Sequence, residues 1–417
     1  MMNAEILCIG TELLLGNIVN TNAAYLSQQL AQLGINVYYQ SVVGDNGDRL
    51  KDALAVAFKR SDLVITTGGL GPTYDDLTKE TVAQFFNRPM VVHEPSLQQI
   101  QTFFACNPSK MTANNEKQAL MPEGSQVFTN HCGTAPGVAV MNENKMAILL
   151  PGPPSENQMM FEREVLPFLK QFTDHTFVSR TVHLFGIGES TTESLLNDMM
   201  TQSTNPTIAP YAKNGEVLLR VTASASNETE ALALITPAIE QIKEVVGEYI
   251  YGIDVDTLEN AVVQLYKDQN LTVATAESCT GGLISKRLTD IPGSSQVLLG
   301  GVCAYTNMMK EKAIAVSTDI LNTFGAVSEQ TALAMAHGIR QITSADFAVS
   351  TTGVAGPDGG TQETPVGLVY IAVVGNHYQH VEKRHITMGP ATTRDMIRDY
   401  ATKVALYELL QAAKKVH

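Results

Sequence analysis

The feature that most constrains this chain is an alternation of short apolar runs with amphipathic stretches long enough to form helices. In the first third of the sequence, runs of strand length are separated by stretches whose apolar residues recur at helical spacing. The strand candidates are Ala4–Gly10, Ile35–Val43, Asp62–Thr66 and Lys145–Leu150, and the helix candidates are Thr21–Leu33, Asp48–Arg60 and Ser155–Leu169. Such alternation predicts βα units around a mainly parallel sheet.

A second α/β pattern occupies the end of the chain, and a smaller unit of different character separates the two. The chain has 417 residues, which exceeds one ordinary hydrophobic core. We therefore predict the α/β fold class, with two α/β domains built on mainly parallel sheets and a small α+β middle domain between them. The predicted domains are residues 1–170, 171–252 and 253–417.

Charge and cysteine usage exclude several classes of protein. The formal net charge is −14, and phosphate backbones need a basic surface, so nucleic acid is not expected as a partner. Local N–H nests can still bind small phosphorylated ligands. The sequence has no apolar run of membrane-spanning length and no basic signal-peptide region at its start. Its five cysteines, Cys8, Cys106, Cys132, Cys279 and Cys303, form no CxxC pair, which favours reduced thiols and a cytoplasmic protein.

The segment Thr275–Gly282 is the centre of the candidate chemistry in the third domain. It follows the apolar run Leu271–Ala274 and precedes a helical stretch beginning at Leu283. Ser278, Thr280 and Gly281 therefore lie on a strand-to-helix turn, where a helix N-terminus favours an anion and glycines permit close approach of a ligand.

Further polar loops accompany this turn. They contain Ser295, then Tyr305 with Lys310, then Thr352 with Gly353, and finally Arg394 and Arg398, which share one face of the last helix. No histidine stands in these loops, which argues against a Ser-His-Asp triad. A serine activated by a desolvated lysine can instead attack an amide or ester, with backbone N–H groups as the oxyanion hole.

Two alternatives remain open at this point. The serines and threonines before helices can be simple N-caps, with Lys310 on the surface. Cys279 is a rival nucleophile, although without a neighbouring histidine its thiol is expected to pack as a small apolar group. Several such loops in one domain, each at a strand end, favour a functional site.

These motifs resemble the C-terminal domain of the CinA (competence/damage-inducible protein A) family. The resemblance is carried by Ala276–Gly282, Gly293–Ser295, Tyr305–Lys310, Gly325–Ser328 and Gly353–Gly360. It implies a nicotinamide mononucleotide deamidase of pyridine nucleotide salvage, which needs no cofactor and releases nicotinic acid mononucleotide and ammonia.

The resemblance also implies roles for individual residues. Ser295 would be the nucleophile, Lys310 its base and Tyr305 an assisting group, with Ser278 as the alternative nucleophile. Substrate binding would fall to Thr280, Gly281, Thr352, Gly353 and Arg394, with Arg398 as the alternative to Arg394 for holding the phosphate.

Three loops of the first domain suggest a nucleotide site. Their glycines suit phosphate groups, and their carboxylates suit a divalent cation between phosphates. The nucleotide-binding candidates are Asn20, Thr21, Thr67, Gly68, Gly69, Gly152 and Pro153, and the metal candidates are Glu12, Asp45, Asp75 and Asp76. The simplest alternative is that Asp75 and Asp76 cap a helix and that the glycines only form turns.

This first domain resembles the molybdopterin-binding (MoaB/MogA-like) domain found at the N-terminus of CinA proteins. The motifs are Thr66–Thr78, Gly133–Gly137 and Pro151–Pro154. The resemblance implies ADP-ribose pyrophosphatase activity that depends on Mg²⁺ or Co²⁺ and is assisted by K⁺. The alternative is a non-catalytic nucleotide- or pterin-binding protein linked to competence and DNA uptake. A homodimer is also expected, with nicotinamide mononucleotide and ADP-ribose as small-molecule partners.

Overall fold

A computed structural model describes residues 2–105, 111–172, 176–213, 215–389 and 391–415. Within these ranges Cys8, Cys132, Cys279 and Cys303 are free thiols, as expected, and Cys106 lies outside the described residues. No helix among the described residues is both long enough and apolar enough to cross a membrane.

The first sheet has six strands in the order β2-β1-β3-β8-β7-β6. Its strands are β1 (Asn3–Ile9), β2 (Asn36–Val43), β3 (Leu63–Thr67), β6 (Gln126–Phe128), β7 (Gly137–Asn142) and β8 (Lys145–Leu150). The pairs among β1, β2, β3 and β8 are parallel, and the β6–β7–β8 edge is antiparallel. Two short strands, β4 (Met90–Val92) and β5 (Leu120–Pro122), form a separate antiparallel pair.

The α-helices of this region lie between its strands or follow the last of them. They are α1 (Thr11–Leu14), α2 (Thr21–Gln32), α3 (Gly47–Arg60), α4 (Thr78–Phe85), α5 (Glu94–Phe104), α6 (Ala113–Lys117), α7 (Pro154–Met160) and α8 (Leu166–Leu169). Helix α2 ends as predicted before Gly34, whose φ of 68° is a left-handed conformation that favours glycine. The helix predicted over 155–169 is interrupted by a π-helical turn, Phe161–Val165.

A four-stranded sheet follows, in the order β10-β11-β9-β12. The elements are β9 (Thr176–Phe185), α9 (Glu189–Gln202), β10 (Thr207–Lys213), β11 (Glu216–Ala225), α10 (Glu228–Val246) and β12 (Ile250–Ile253). Two helices with one sheet agree with the predicted α+β character of this region.

The last sheet has five strands in the order β14-β13-β15-β16-β17. They are β13 (Val273–Glu277), β14 (Leu298–Cys303), β15 (Phe347–Gly353), β16 (Leu368–Val374) and β17 (Gln379–His385). Strands β14, β13 and β15 are parallel, whereas β16 and β17 return antiparallel. The helices are α11 (Leu258–Asp268), α12 (Leu283–Thr289), α13 (Asn307–Ile314), α14 (Thr318–Phe324), α15 (Glu329–Thr343) and α16 (Arg394–Lys414).

Two apolar clusters lie on opposite faces of this sheet. One contains Val369, Ile371 and Val373 with residues of α11 and α16, and the other contains Ala372 and Val374 with residues of α15. A helical layer on each face confirms the α/β fold class and leaves the strand ends open for a site.

The chain forms two compact units, Met1–Ser179 with Thr222–Thr236, and Arg180–Val221 with Pro237–His417. This division distributes the predicted middle domain between the two units. The domain boundaries at residues 170 and 252 therefore stay predictions.

Candidate active site

The turn after β13 is organised by Glu277, a residue that the sequence analysis passed over. Strand β13 runs three residues beyond the predicted end at Ala274, so Glu277 is its last residue and is fully buried. Its carboxylate accepts hydrogen bonds from the backbone N–H groups of Gly282 (2.9 Å), Ile284 (3.1 Å) and Ser285 (2.8 Å). The anion at the N-terminus of α12 is therefore the chain's own carboxylate rather than a ligand.

Ser278 follows Glu277 and lies against a buried lysine. Lys310 Nζ is 3.1 Å from Ser278 Oγ, and it donates to the carbonyl oxygens of Ala304 (2.9 Å) and Tyr305 (3.4 Å). Only 1% of Lys310 is exposed, and burial lowers its pKa below the ordinary value. Burial thus shifts this amine toward its neutral form, and its next neighbour is a serine hydroxyl.

A cavity of about 220 Å³ opens at this pair. Its lining residues are Ser278, Cys279, Tyr305, Thr306, Asn307, Lys310, Ala326, Val327, Thr352, Gly353, Ala355 and Arg394. None of these described residues is a histidine. Burial raises the pKa of the Cys279 thiol to about 11, so the cysteine is a poor rival to the Ser278–Lys310 pair.

Ser295 does not line this cavity. It lies on the 3₁₀ turn Ser294–Gln296, between α12 and β14, where Ser294 takes the buried position and Ser295 is exposed. The residue that contacts Lys310 is Ser278, the alternative of the sequence analysis. We therefore replace Ser295 by Ser278 as the candidate nucleophile.

Tyr305 and Arg394 form one wall of the cavity. Arg394 donates through Nη2 to the Tyr305 hydroxyl (3.0 Å) and through Nη1 to the carbonyl oxygen of Gly356 (2.7 Å). The Tyr305 side chain is 59% exposed, so this wall is open to solvent and to a ligand.

The two arginines of the predicted pair have different surroundings. Arg398 donates to the carbonyl oxygen of Thr280 (2.9 Å) and pairs with Asp395 (3.5 Å), and it does not line the cavity. Arg394 is thus the candidate for a ligand phosphate, and Arg398 supports the turn that carries Ser278.

The remaining candidates of this unit also fall into residues that line the cavity and residues that support the turn. Thr352 and Gly353 line the cavity, and the Thr352 hydroxyl donates to the carbonyl oxygen of Ala326 (2.6 Å). Thr280 is fully buried, and its hydroxyl donates to Glu277 (2.8 Å). Neither Thr280 nor Gly281 lines the cavity, so both belong to the frame of the turn.

A second cavity, of about 410 Å³, lies at the carboxyl ends of β1, β3 and β8. The predicted Gly68, Gly69, Gly152 and Pro153 line it, together with all four predicted metal ligands Glu12, Asp45, Asp75 and Asp76. Gly68 and Gly69 have φ of 106° and 67°, and a Cβ on Gly68 would lie 2.2 Å from the carbonyl oxygen of Ile9. Backbone of this shape requires glycine, and the N–H of Gly68 donates to the carbonyl oxygen of Leu150 (3.0 Å).

The carboxylates of this cavity suit a hard cation, because oxygen atoms are the ligands that Mg²⁺ prefers. Thr11 N and Oγ1 donate to Asp45 Oδ2, and Thr73 N donates to Asp76 Oδ2 (2.9 Å). A hydrogen bond from Thr73 lowers the pKa of Asp75. Within the described ranges, however, no three of these carboxylates bring ligand oxygens within 4.8 Å of one another. Substrate oxygens or water would have to complete a coordination shell.

Three predicted nucleotide-binding residues have structural roles instead. Asn20 caps α2 by accepting from Ala23 N (3.1 Å), and Thr21 is the exposed first residue of that helix. Thr67 is buried and accepts from the side chains of Asn22 (2.8 Å) and Asn157 (3.1 Å). None of the three lines the cavity.

Glu156, Gln118 and Thr134 also line this cavity and were not among the site residues predicted from the sequence. Glu156 follows Pro153 in the predicted loop and is held by Asn130 (2.7 Å). Its position next to a loop at the end of a strand could have identified it as a site residue from the sequence. The sequence contains no such indication for Gln118, because this residue lies at the end of a short helix that is distant in sequence.

The fold and these cavities define an α/β protein with a serine–lysine pair in one unit and a carboxylate-lined, glycine-rich cavity in the other. Three family models match the chain: a probable molybdopterin binding domain (residues 5–171), a damage-inducible protein CinA KH domain (179–252) and a CinA C-terminal domain (255–413). The chain belongs to the CinA family of competence/damage-inducible proteins.

Relatives match over almost the whole chain. A CinA-like protein of Dictyoglomus thermophilum is 50% identical over 405 residues, covering 97% of this chain and 98% of that protein. A CinA-like protein of Kosmotoga olearia is 48% identical with 97% of both chains covered. A relative from Clostridium tetani is 53% identical over 370 residues, which is 89% of this chain and 90% of that protein.

Solved structures match parts of the chain. The competence/damage inducible protein CihA from Agrobacterium tumefaciens is 44% identical, with 38% of this chain and 93% of that chain covered and a TM-score of 0.35. The molybdopterin biosynthesis enzyme MoaB from Thermus thermophilus is 19% identical, with 41% and 98% covered and a TM-score of 0.27.

Proposed function

We propose that this protein is a hydrolase that deamidates nicotinamide mononucleotide to nicotinic acid mononucleotide and ammonia. The observation that carries the proposal is the buried contact of 3.1 Å between Lys310 Nζ and Ser278 Oγ at the mouth of a cavity. A serine next to a desolvated amine is a nucleophile with its own base. The family resemblance supplies the substrate.

In the proposed reaction, neutral Lys310 takes the proton of Ser278 while Oγ attacks the carboxamide carbon. The carbonyl oxygens of Ala304 and Tyr305 accept the two N–H groups of the neutral amine, which leaves its lone pair for the serine. Lys310 then gives the proton to the departing ammonia, leaving an ester on Ser278. Water, deprotonated by the same amine, hydrolyses that ester and restores the enzyme.

Other residues of the cavity would bind and orient the substrate. The backbone N–H of Cys279, the residue after the nucleophile, is our candidate for the oxyanion hole. Arg394, ordered by Gly356 and Tyr305, would hold the phosphate by charge-assisted hydrogen bonds. Tyr305 would assist by keeping Arg394 in place.

Ammonia release from nicotinamide mononucleotide by the purified full chain tests this proposal. Lys310→Met should abolish turnover, whereas Lys312→Met, a matched change at an exposed lysine of the same helix, should leave it unchanged. A wild-type protein that releases no ammonia would contradict the deamidase and favour the binding protein linked to competence.

We propose for the first unit a metal-dependent hydrolysis of ADP-ribose, because five carboxylates and five glycines border one cavity. Glu12, Asp45, Asp75 and Asp76 would hold Mg²⁺ or Co²⁺, which would neutralise the charge of the diphosphate when bound. The N–H group of Gly69 would hold a phosphate oxygen, because that of Gly68 donates to the carbonyl oxygen of Leu150 (3.0 Å).

Turnover of ADP-ribose with added Mg²⁺ or Co²⁺ tests this second activity. Asp76→Asn should abolish it, and Asp52→Asn, at an exposed position of α3, should not. Absence of turnover with either metal would leave a nucleotide- or pterin-binding domain. The assisting K⁺ and the homodimer stay predictions.

A further inference from the structure

A cluster of three potential metal ligands lies on the last sheet. His380 and Glu382 are two residues apart on the edge strand β17, so both side chains point to the same face of the sheet. They pair with Val373 and Ile371 of β16, which belong to the apolar cluster on the α16 side. Helix α16 contributes Glu408 to the same place. The three ligand atoms lie within 4.8 Å of one another.

The separations suit a small divalent ion. His380 Nε2 is 3.5 Å from Glu382 Oε2 and 3.4 Å from Glu408 Oε2. Ligands at roughly 2.0–2.1 Å from a tetrahedral zinc ion are about 3.4 Å apart, so two edges of a coordination tetrahedron are already present. Exposure of the side chains falls from 40% for His380 to 23% for Glu382 and 12% for Glu408. The fourth position would face solvent and take a water molecule.

An outer partner orients one of the ligands. Arg384 Nε donates to Glu382 Oε1 at 2.6 Å, which leaves Oε2 turned toward His380. Metal-ligating carboxylates are commonly fixed by hydrogen bonds of this kind. The arginine, together with Lys415, also offsets part of the charge of the two carboxylates.

We propose that His380, Glu382 and Glu408 form a binding site for one divalent transition-metal ion of the zinc type. The imidazole nitrogen disfavours Mg²⁺ and Ca²⁺, which prefer all-oxygen shells. The site ties edge strand β17 to α16. Glu408 lies 14 residues after Arg394 on that helix, a rise of about 21 Å, so the ion is separate from the Ser278–Lys310 cavity. Its role is structural and does not depend on the proposed deamidase.

The same geometry has a metal-free interpretation. A protonated His380 can pair with both carboxylates, and inward-pointing charges on an edge strand discourage edge-to-edge aggregation. Metal binding distinguishes the two interpretations, because only the metal site requires a cation for its stability.

The test uses the full chain stripped of metal by a chelator, in an Asp75→Asn/Asp76→Asn background that removes two of the four cation candidates of the first unit. We expect one equivalent of Zn²⁺ to bind in calorimetry and to raise the melting temperature. Co²⁺ should give the intense visible bands of a tetrahedral site containing nitrogen. His380→Gln should weaken binding at least tenfold, whereas His377→Gln, at a nearby exposed histidine, should not.

Glu408→Gln provides a second variant, and the melting temperature of each metal-free variant shows whether it folds. Equal zinc affinity in His380→Gln and its parent would overturn the proposal. So would the absence of stoichiometric zinc binding in the parent, which would leave the ion-paired histidine as the explanation.

Discussion

Lys310 combines two properties that a serine hydrolase without histidine requires. It is almost fully buried, and its amine contacts Ser278, the proposed nucleophile, while the hydrogen-bond partners of Nζ are carbonyl and hydroxyl oxygens. Burial therefore lowers its pKa, because no carboxylate among these contacts stabilises the charged form.

The first prediction at this scale concerns pH. The neutral amine is the active form, so kcat/KM for nicotinamide mononucleotide should rise about tenfold per pH unit below the lowered pKa of Lys310 and level off above it. Between the folded and the higher unfolded pKa, the unfolded chain binds more protons, so stability should also rise with pH in that window. Lys310→Met should remove this contribution to the pH dependence of the free energy of unfolding. If kcat/KM of the wild-type protein did not fall as the pH is lowered, Lys310 would not be the base.

A second prediction separates the two arginines. Arg394→Gln should raise KM for nicotinamide mononucleotide roughly 10- to 100-fold, because a charge-assisted phosphate contact is worth about 1.5–3 kcal/mol. The same change should hardly affect nicotinamide riboside, which lacks the phosphate. Arg398→Gln should act mainly on stability through the lost bond to Thr280. Equal losses on both substrates would show that Arg394 does not bind phosphate.

Residue types were easier to predict than their partners. The sequence gives Ser278, Ser295 and Lys310 as candidates, because hydroxyls at strand ends are visible in the pattern. The 3₁₀ turn Ser294–Gln296 exposes Ser295 to solvent, so the serine that contacts the lysine is Ser278. Residue spacing alone does not show this arrangement. The same limit applies to Thr67, whose hydroxyl accepts from two asparagines distant in sequence.

At the scale of elements, α12 depends on the buried carboxylate before it. Glu277 Oε1 accepts from the N–H and the hydroxyl of Ser285, and Oε2 accepts from Gly282, Ile284 and Thr280. The helix is only seven residues long, so this cap and its packing determine its position and that of Ser278.

Glu277→Gln should therefore destabilise the folded protein. An amide group replaces one oxygen, so at least two buried donors lose their acceptor, and unfolding free energy should fall by roughly 2–5 kcal/mol. Glu244→Gln, at an exposed position of α10, should change it by less than about 0.5 kcal/mol. Denaturant unfolding measures both. An unchanged midpoint for Glu277→Gln would mean that the cap contributes little.

Periodicity predicts most elements because their apolar faces are regular, as in α11 and α15. Periodicity predicted the end of β13 at Ala274, because the polar residues Thr275 and Glu277 resemble a turn in the sequence. In the structure both residues belong to the strand and are buried. Periodicity also did not foresee that β16 and β17 run antiparallel. The segments before them contain no helix to cross over the sheet, and a direct return reverses the strand.

At the scale of the molecule, each compact unit contains one of the two cavities. We predict that the activities are separable. Asp76→Asn should abolish ADP-ribose turnover and leave kcat/KM for nicotinamide mononucleotide within about twofold, as expected for independent sites. Lys310→Met should show the reverse pattern. Loss of both activities in either variant, with folding intact, would reveal coupling between the sites.

Ammonia release from nicotinamide mononucleotide by Ser278→Ala and Ser295→Ala, compared side by side at saturating substrate, tests the central claim most directly. If Lys310 activates Ser278, then Ser278→Ala should lower kcat at least a thousandfold, on the order of other nucleophile removals, whereas Ser295→Ala should stay close to wild type. An inactive Ser295→Ala protein beside an active Ser278→Ala protein would contradict the account.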